Sequence, residues 1–266
     1  MSGARLTDAE HAELAARLFE AIKAGRGIDP PSETIDYAFE DAFRIRRKLV
    51  DHLVADGAAP KGHKIGFTSE AMQKMYGMTG PDFGILTDRM IVEAGPPLEI
   101  GHLSDTRAEP ELAFELARPL EGPGVTLADA LDATARVRAA VEVIDSRVGA
   151  MRAKANDSLA DNAGAGYVVL GTVALAPDAV DLAGVELAMT VDGERQAAPA
   201  GDVMGHPAEP LAWLANKLPE LDGLGGSLKA GDIVITGAPV KSVAVAPGTR
   251  LTAEFGPFGS IEIAFE

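Results

Sequence analysis

The sequence predicts an α+β fold in which an α-rich N-terminal segment packs on a larger, rolled β domain. Residues 1–60 contain two stretches with apolar residues at helical spacing. From residue 180 onward, short β-branched runs alternate with glycine and proline turns, which is typical of closed or rolled β structure. We therefore predict a helical segment over 1–60 and a rolled β domain over 61–266.

Composition narrows the class of protein. The chain has 266 residues, of which 47% are hydrophobic and 24% charged, as expected for a protein with a sizeable core. A net charge of −16 makes nucleic acid and anionic membranes unfavourable partners. The absence of cysteine excludes disulfides, thiolate metal sites and a cysteine nucleophile. With neither a signal-peptide pattern nor an apolar run of about 18 residues, we expect a cytoplasmic protein.

Two helices are predicted before residue 60. Thr7 and Glu10 form a capping box at the start of the first helix, and Gly25 ends it. The second helix is predicted over 39–55. Its basic side chains are interpreted as a solvated face that pairs with nearby acids: Arg44, Arg46, Arg47 and Lys48.

Alternating patterns follow after residue 60. We predict a short strand within 61–69, a helix that includes Ala71 to Met75, a turn over 81–84, a helix over 124–139 and a mobile loop over 154–162. A hairpin turn is predicted at Asp192-Gly193 and a helix over 209–218. Four further strands are predicted over 231–237, 242–245, 250–255 and 261–265.

Three glutamates form a candidate metal site. Glu109 and Glu111 stand two residues apart, so both carboxylates project from one face if this segment is a strand. Glu142 lies in a run from Val141 to Val148 that suits a buried strand. Three converging carboxylates repel one another unless a hard divalent cation binds between them. The alternative is two solvent-facing glutamates on an edge strand and one unrelated glutamate.

Lys64 is a candidate acid or base. It lies between Gly62 and Gly66 in a strand predicted to enter the core, where a lysine is costly unless it is paired. A lysine near a metal-bound oxyanion can carry a proton, and we expect its pKa to be lowered. Taken alone, the segment favours a surface lysine over a catalytic one.

Nine motifs, in a fixed order, cover nearly the whole chain: 61–69, 81–84, Arg107 with 109–111, 142–147, 161–163, 205–207, 212–216, 231–233 and 258–260. In these motifs the sequence resembles the 2-oxo acid hydratases of the fumarylacetoacetate hydrolase superfamily. The 2-oxopent-4-enoate and 2-oxohept-4-ene-1,7-dioate hydratases are the nearest groups. The resemblance implies a fumarylacetoacetase-like fold with a rolled mixed β-sheet, assembled into homo-oligomers.

The resemblance also implies an activity. Mg²⁺ or Mn²⁺ at Glu109, Glu111 and Glu142 would serve a hydratase that converts a 2-hydroxy-2,4-dienoate into a 4-hydroxy-2-oxo acid, in the meta-cleavage degradation of aromatic compounds. The partners implied are this small-molecule substrate and further copies of the chain, and the resemblance allows a complex with a downstream aldolase or a sister decarboxylase.

Residue roles follow from the same resemblance. Lys64 is the first candidate for proton transfer, and Asp82 the second, as the residue that orients water or shuttles protons. Arg107 and His206 are candidates for contact with the substrate carboxylate or for support of the site. The alternative for His206 is a structural histidine that caps the following helix.

The sequence departs from the family pattern at three positions. Gly164 stands where many relatives carry serine, so a hydroxyl contact to substrate or loop is missing. Arg46 replaces a usual glutamine and could bind a second substrate carboxylate, which favours a dioate, or form a salt bridge. Ala108 replaces a larger β-branched residue. These changes leave the substrate open.

Three other functions compete with the hydratase. The first is 4-oxalocrotonate decarboxylase, with the same metal site. The second is a C–C hydrolase of the acylpyruvase kind, which needs a Glu–His dyad that neither His63 nor His102 securely provides. The third is a metal-bearing, non-catalytic binding protein, against which the intact Lys64 argues.

Overall fold

The computed structural model describes residues 5–69, 73–74, 78–149, 152–221, 223–224 and 226–266. Apart from Gln73 and Lys74, the predicted helix from Ala71 to Met75 lies outside the described residues. The helices within them are α1 (Asp8–Ala24), α2 (Phe39–Ala55), α3 (Leu127–Ala133), α4 (Ala155–Ala160) and α5 (Glu209–Lys217). None of the described helices is long and apolar enough to cross a lipid bilayer.

The described strands form two sheets. They are β1 (Pro60–Gly66), β2 (Asp82–Thr87), β3 (Ile91–Glu93), β4 (Thr106–Leu116), β5 (Thr134–Asp145), β6 (Tyr167–Leu175), β7 (Glu186–Val191), β8 (Glu194–Pro199), β9 (Ile233–Ile235), β10 (Val243–Ala244), β11 (Arg250–Glu254) and β12 (Ser260–Ala264). The large sheet has the order β2-β1-β9-β4-β5-β6-β3, with β10 beside β4, and the small sheet has the order β12-β11-β7-β8. Parallel β1–β9 and β3–β6 pairs among antiparallel ones make the large sheet mixed, as predicted.

The first helix begins and ends where the sequence predicts. The Thr7 hydroxyl accepts from the Glu10 amide, and the Glu10 carboxylate accepts from the Thr7 amide at 2.7 Å, which completes the capping box. Gly25 has a left-handed φ of 58°, a conformation that glycine adopts without a Cβ penalty. Leu14 and Leu18 are buried against the rest of the core.

The second helix has the predicted bounds, but its basic face was predicted wrongly at one residue. Surface ion pairs hold the other three basic side chains: Arg44–Glu40, Arg47–Asp51 and Lys48–Asp8. Arg46 is instead fully buried. It lies four residues after Ala42 and three before Leu49, so helical geometry places it on the buried side of α2.

The predicted helix over 124–139 was wrong beyond residue 133. Only Leu127–Ala133 is helical, and β5 begins at Thr134 rather than near Val141. This strand pairs with β4 from Leu116↔Thr134 to Thr106↔Asp145. The tertiary hydrogen bonds of an eleven-residue neighbour therefore override the local helical pattern.

The predicted mobile loop over 154–162 was also wrong. Residues Ala155–Ala160 form α4, and Asp157 is fully buried. Its carboxylate accepts hydrogen bonds from the Ser32 amide, the Ser32 hydroxyl and the Tyr37 hydroxyl. A polar segment is thus ordered by partners that lie more than a hundred residues away, which local sequence cannot show.

The predicted turn over 81–84 is only partly right, because Asp82 already pairs with Gly66 as the first residue of β2. The hairpin prediction is confirmed: Asp192 and Gly193 join β7 to β8 with φ of 51° and 83°. The later predictions of strands and of a helix after residue 209 match β9 to β12 and α5.

The two faces of the large sheet have different roles. One face packs into the main core, with Ile65, Phe83, Leu112 and Val141 among its residues. Side chains alternate along each strand, so the intervening residues share the opposite face: Lys64, Asp82, Glu109, Glu111 and Glu142. The fold therefore brings the predicted site residues to one surface of the sheet. The domain boundary near residue 60 stays a prediction, since both helices share the main core with the sheets.

Candidate active site

The three glutamates predicted as metal ligands meet on the site face of β4 and β5. Glu109 stands directly opposite Glu142 in the antiparallel register, and Glu111 lies two residues along β4. One oxygen from each carboxylate lies within 4.8 Å of the others. Glu111 and Glu142 are buried and Glu109 is half-buried. The alternative of two solvent-facing glutamates and one unrelated glutamate is excluded, because Glu111 and Glu142 are buried and Glu109 stands opposite Glu142.

The carboxylates destabilise one another when no cation lies between them. Burial, followed by the neighbouring charge of Glu142, raises the pKa of Glu109 to about 8. The same two causes hold the pKa of Glu111 well above its ordinary value. When no cation is bound, these carboxylates therefore take up protons more readily, and a bound cation would replace that positive charge.

The donor set fits a hard divalent cation. Each ligand atom is a carboxylate oxygen, as Mg²⁺, Mn²⁺ and Ca²⁺ prefer. Glu111 Oε2 accepts from the Gly237 amide at 2.6 Å, which fixes the carboxylate. Glu111 Oε1 is buried and has no hydrogen-bond partner among the described residues, so it remains for a cation.

Gly237 is needed for this contact. Its φ is +96°, and a Cβ there would lie 2.4 Å from Thr68 Oγ1. On the side away from β5, the stretch Glu109–Leu112 pairs with no strand of the described part of the chain, because β10 pairs with residues 107 and 108 and β9 with residues 113–115. The sheet therefore opens at the site, which lets Gly237 reach Glu111 and accommodates Pro110 within an internal strand.

Lys64 is paired with the same cluster. Its Nζ lies 2.5 Å from Glu142 Oε1 and donates to the Ala163 carbonyl at 2.8 Å. Burial alone would lower the pKa of Lys64, but the charge of Glu142 and the hydrogen bond to it outweigh burial and raise the pKa. Without a cation, three nearby carboxylates stabilise the ammonium. A lowered pKa beside a metal-bound oxyanion stays a prediction.

Asp82 lies on the same face, at the start of β2. Burial raises its pKa to about 6, while the charges of Lys64 and Arg46 oppose the increase. Its Oδ2 is buried and has no hydrogen-bond partner among the described residues. A Cβ at Gly66 would lie 2.8 Å from Asp82 Oδ1, so glycine leaves the space that this carboxylate occupies.

Arg107 stands beside the cluster at the start of β4. Its guanidinium donates from Nε to the Ser242 hydroxyl at 2.8 Å and from Nη2 to the Ser242 carbonyl at 2.6 Å. Its charge acts on Glu109. A half-buried cation held in this way stands where an anionic substrate group could approach the carboxylates.

The other predicted substrate contacts lie apart from the cluster. Arg46 donates to the Phe83 and Leu224 carbonyls and stacks 4.0 Å from the centre of the Phe83 ring, on the core face of the sheet. No carboxylate lies within salt-bridge distance of Arg46 in the part of the chain that is described. His206 Nδ1 accepts from the Ala208 amide at 3.1 Å, next to the start of α5. Contacts of either residue with substrate stay predictions.

Gly164 belongs to a turn that packs against the site. Its φ is +65°, and a Cβ there would lie 3.0 Å from Ile144 Cγ2. The two residues before it, Asn162 and Ala163, have positive φ as well. Residues 161–163 form one of the family motifs, but the sequence predicts no role for Asn162 or Ala163. The sequence does indicate a turn here, because a polar pair followed by small residues is typical of a turn.

Comparison with known proteins identifies the family. A family model described as fumarylacetoacetate (FAA) hydrolase C-terminal matches residues 53–265. The chain belongs to this family. The predicted resemblance and fold class are thereby confirmed.

Individual relatives in the FAA hydrolase family are similar over nearly the whole chain. A 2-hydroxyhexa-2,4-dienoate hydratase from Comamonas testosteroni is 37% identical over 253 residues, which cover 94% of this chain and 95% of the relative. A 2-oxo-hept-4-ene-1,7-dioate hydratase from Escherichia coli is 37% identical over 265 residues, with coverage of 96% and 97%. A solved 4-oxalocrotonate decarboxylase from Pseudomonas putida G7, complexed with magnesium and adipate, is 30% identical with a TM-score of 0.92, over 98% of this chain and 99% of that one.

The raised carboxylate pKa values predict a pH-dependent stability. In the folded protein, Glu109 has a pKa of about 8. In the unfolded chain we expect its ordinary value of 4.5, so folding strengthens proton binding to this carboxylate. Its contribution to stability is therefore complete below the ordinary pKa and is lost as pH rises toward about 8. Metal-free protein should melt at a lower temperature at about pH 8.5 than at about pH 6, and a divalent cation should raise the melting temperature more at the higher pH.

Differential scanning calorimetry with and without Mg²⁺ checks this expectation. Glu109→Gln is the matched variant, since a neutral amide cannot lose a proton and should flatten the pH dependence of the metal-free protein. Equal effects of Mg²⁺ at both pH values would contradict the assignment of the raised pKa values to the cluster.

Proposed function

We propose that this protein is a metal-dependent hydratase that adds water to a 2-hydroxy-2,4-dienoate and releases a 4-hydroxy-2-oxo acid. The observation that carries the proposal is the ion pair of Lys64 with one of three clustered carboxylates on a single sheet face. The hydratases named among its relatives act on 2-hydroxydienoates and 2-oxo-enoates, which supports the substrate class.

The ligands of the cation are proposed to be Glu109, Glu111 and Glu142. We take Mg²⁺ or Mn²⁺ as the resident ion, because the donors are all hard oxygens and because a solved relative is complexed with magnesium. Held by these residues, the ion would supply the positive charge that attracts the carboxylate and 2-oxygen of the substrate and polarises its 2-oxo group. Arg107, beside Glu109, is proposed to contact the same substrate carboxylate.

Lys64 is proposed to transfer the protons. One N–H of its ammonium donates to the Ala163 carbonyl, and the ammonium forms an ion pair with Glu142, so its remaining N–H groups are proposed to reach a substrate atom. In the first stage the dienol loses its O2 proton and gains a proton at C5, which gives a 2-oxo-3-enoate. In the second stage the hydroxyl of water bonds to C4 and a proton bonds to C3, so all atoms of the water are retained.

Asp82 is proposed to orient the water. With a pKa raised to about 6, its carboxylate is ionised at neutral pH and can accept a hydrogen bond from a water molecule. Its unpartnered Oδ2 supports this role. Apolar side chains on the same face pack beside the ligands and suit the hydrocarbon part of a dienoate: Ala113, Ala140, Val168 and Leu170.

Decarboxylation of a 2-oxo dioate is the second candidate, favoured by the 0.92 TM-score to the 4-oxalocrotonate decarboxylase. Both activities need the same ligands and the same proton donor, so the sheet face alone supports either. Homo-oligomerisation, a complex with a downstream aldolase or sister decarboxylase, and a cytoplasmic location remain proposals from the family resemblance.

Product analysis by NMR tests the proposed function. We expect freshly generated 2-hydroxypenta-2,4-dienoate to yield 4-hydroxy-2-oxopentanoate with Mg²⁺ and no product with a chelator. 2-Hydroxyhexa-2,4-diene-1,6-dioate is supplied in parallel. Carbon dioxide release from the dioate without hydration of the first compound would replace the hydratase by the decarboxylase. Absence of turnover of both, and of longer dioates, would contradict the proposal.

A further inference from the structure

Three consecutive left-handed residues pack against the site face. Asn162, Ala163 and Gly164 have φ of 55°, 54° and 65°, although the first two are not glycine. Non-glycine residues rarely adopt this conformation, and it persists where the surrounding structure holds it. The segment is buried and lies within a short 3₁₀ turn after α4. Contacts with neighbouring residues must therefore hold the segment in this conformation.

The side chain of Asn162 ties this turn to the sheet. Its Oδ1 accepts from the Ile85 amide at 2.8 Å, and its Nδ2 donates to the Ile85 carbonyl at 2.8 Å. Ile85 lies on β2, the edge strand of the large sheet, so its outward backbone groups have no neighbouring strand among the described residues. The amide of Asn162 replaces the hydrogen bonds of that missing strand.

Arg147 holds the other end of the turn. Its Nε donates to Asp161 Oδ1 at 2.7 Å, its Nη2 to the Asp161 carbonyl at 2.7 Å and its Nη1 to the Ala165 carbonyl at 2.9 Å. Arg147 and Asp161 are both buried, so these bonds are shielded from water. The residues on each side of the left-handed segment are thus fixed by one guanidinium.

Gly84 brings the turn into contact with Lys64. Gly84 pairs with Lys64 across β1 and β2. A Cβ at this position would lie 2.4 Å from the Asn162 carbonyl oxygen and 3.1 Å from Lys64 Cγ. Only a residue without a side chain lets the turn approach this closely. The next carbonyl, that of Ala163, accepts the hydrogen bond from Lys64 Nζ.

We propose that Asn162 is a positioning residue for Lys64. By bridging Ile85, it holds the Ala163 carbonyl where that carbonyl accepts one Nζ–H, and this sets the orientation of the ammonium beside Glu142. The hydrogen bond to Ala163 and the ion pair with Glu142 together restrict rotation of the ammonium. The consequence for turnover rests on the proposed function, since it assumes that Lys64 transfers the protons. The hydrogen bond itself does not depend on that assumption.

Asn162→Gly is the test variant, because glycine suits the left-handed backbone and the change removes only the side-chain bridge. Asn216→Gly is the matched control. Asn216 makes the same pair of hydrogen bonds, to the amide and carbonyl of Val125, on α5 rather than beside the carboxylate cluster. We expect kcat of Asn162→Gly to fall by about tenfold to hundredfold. Its KM and Mg²⁺ dissociation constant should stay within about threefold of the wild type.

Nitrogen-15 NMR of the lysine ammonium groups gives a readout that does not need turnover. The Lys64 signal is identified by its loss in Lys64→Met. We expect Asn162→Gly to shift or broaden it, through faster exchange of its protons, and Asn216→Gly to leave it unchanged. Asn162→Asp, which keeps the acceptor for the Ile85 amide but loses the donor, should show the same effect if the glycine variant does not fold.

The outcomes separate this inference from the proposed function. An unchanged Lys64 signal in a folded Asn162 variant overturns the positioning role, and so does an equal loss of kcat in Asn216→Gly. A joint loss of kcat and Mg²⁺ affinity would overturn it too, because the turn would then serve the carboxylates. If wild-type protein turns over no dienoate while the NMR signal responds as expected, the proposed function fails and the positioning role stands.

Discussion

Lys64→Ala should lower kcat for the dienoate by a factor of about 10² to 10⁴, the usual contribution of a positioned acid or base. Mg²⁺ binding should survive, because the substitution leaves all three carboxylates in place. Removing the ammonium also frees Glu142 from its ion pair, so a cation becomes its nearest source of positive charge. Steady-state kinetics and isothermal titration calorimetry with Mg²⁺ measure the two quantities separately.

Lys61→Ala is the matched control for this prediction. Lys61 lies on the same strand, is exposed and donates to the Gly231 carbonyl at 2.7 Å. It should keep wild-type kcat, which would show that the loss at Lys64 is not a general effect on β1. Normal turnover by Lys64→Ala would refute the assignment of proton transfer to this residue.

Glu111→Gln should remove both Mg²⁺ affinity and turnover. The glutamine can still accept the hydrogen bond from the Gly237 amide, but it supplies no negative charge to a cation. We expect Mg²⁺ affinity to fall by more than about 100-fold, since even residues outside the ligand shell contribute 10- to 100-fold. Metal-free Glu111→Gln should melt no lower than metal-free wild type, because the raised pKa of Glu111 shows that its charged form is disfavoured there.

Glu115→Gln serves as the control on the same strand. Glu115 is paired with Arg136 and lies outside the cluster. Its replacement should leave the Mg²⁺-dependent rise in melting temperature intact, whereas Glu111→Gln should abolish that rise. If Glu111→Gln retained wild-type Mg²⁺ affinity, the proposed ligand set would be incorrect.

Local patterns in the sequence predicted the helices before residue 60 well. The capping box of Thr7 and Glu10 and the left-handed Gly25 act within a few residues of one another, so their effect does not depend on the rest of the fold. The hairpin at Asp192-Gly193 is local in the same sense. The predictions failed where distant partners decide the structure. Asp157 orders α4 through Ser32 and Tyr37, and β4 draws residues from Thr134 onward into a strand.

The candidate site shows the same division. Spacing placed Glu109 and Glu111 on one face, since alternation along a strand is a local property. The raised pKa of Lys64 in the absence of a cation could not be read from the sequence, because it depends on the distance to Glu142 across two other strands. The burial of Arg46 was not predicted, because its charge suggests an exposed residue although its position in α2 places it on the buried side of the helix. Asn162 received no role, because its partner Ile85 lies 77 residues away.

Sequence patterns alone identify the family, the residue types of the proposed cation site and the elements governed by local hydrogen bonding. Only the tertiary structure decided which face of the sheet carries the site and how Lys64 is held. The register between β4 and β5 sets Glu109 opposite Glu142, and a one-residue slip would turn these side chains to the other face. That register arises from hydrogen bonds and burial between segments far apart in the chain, and such long-range pairing leaves no pattern within either segment alone.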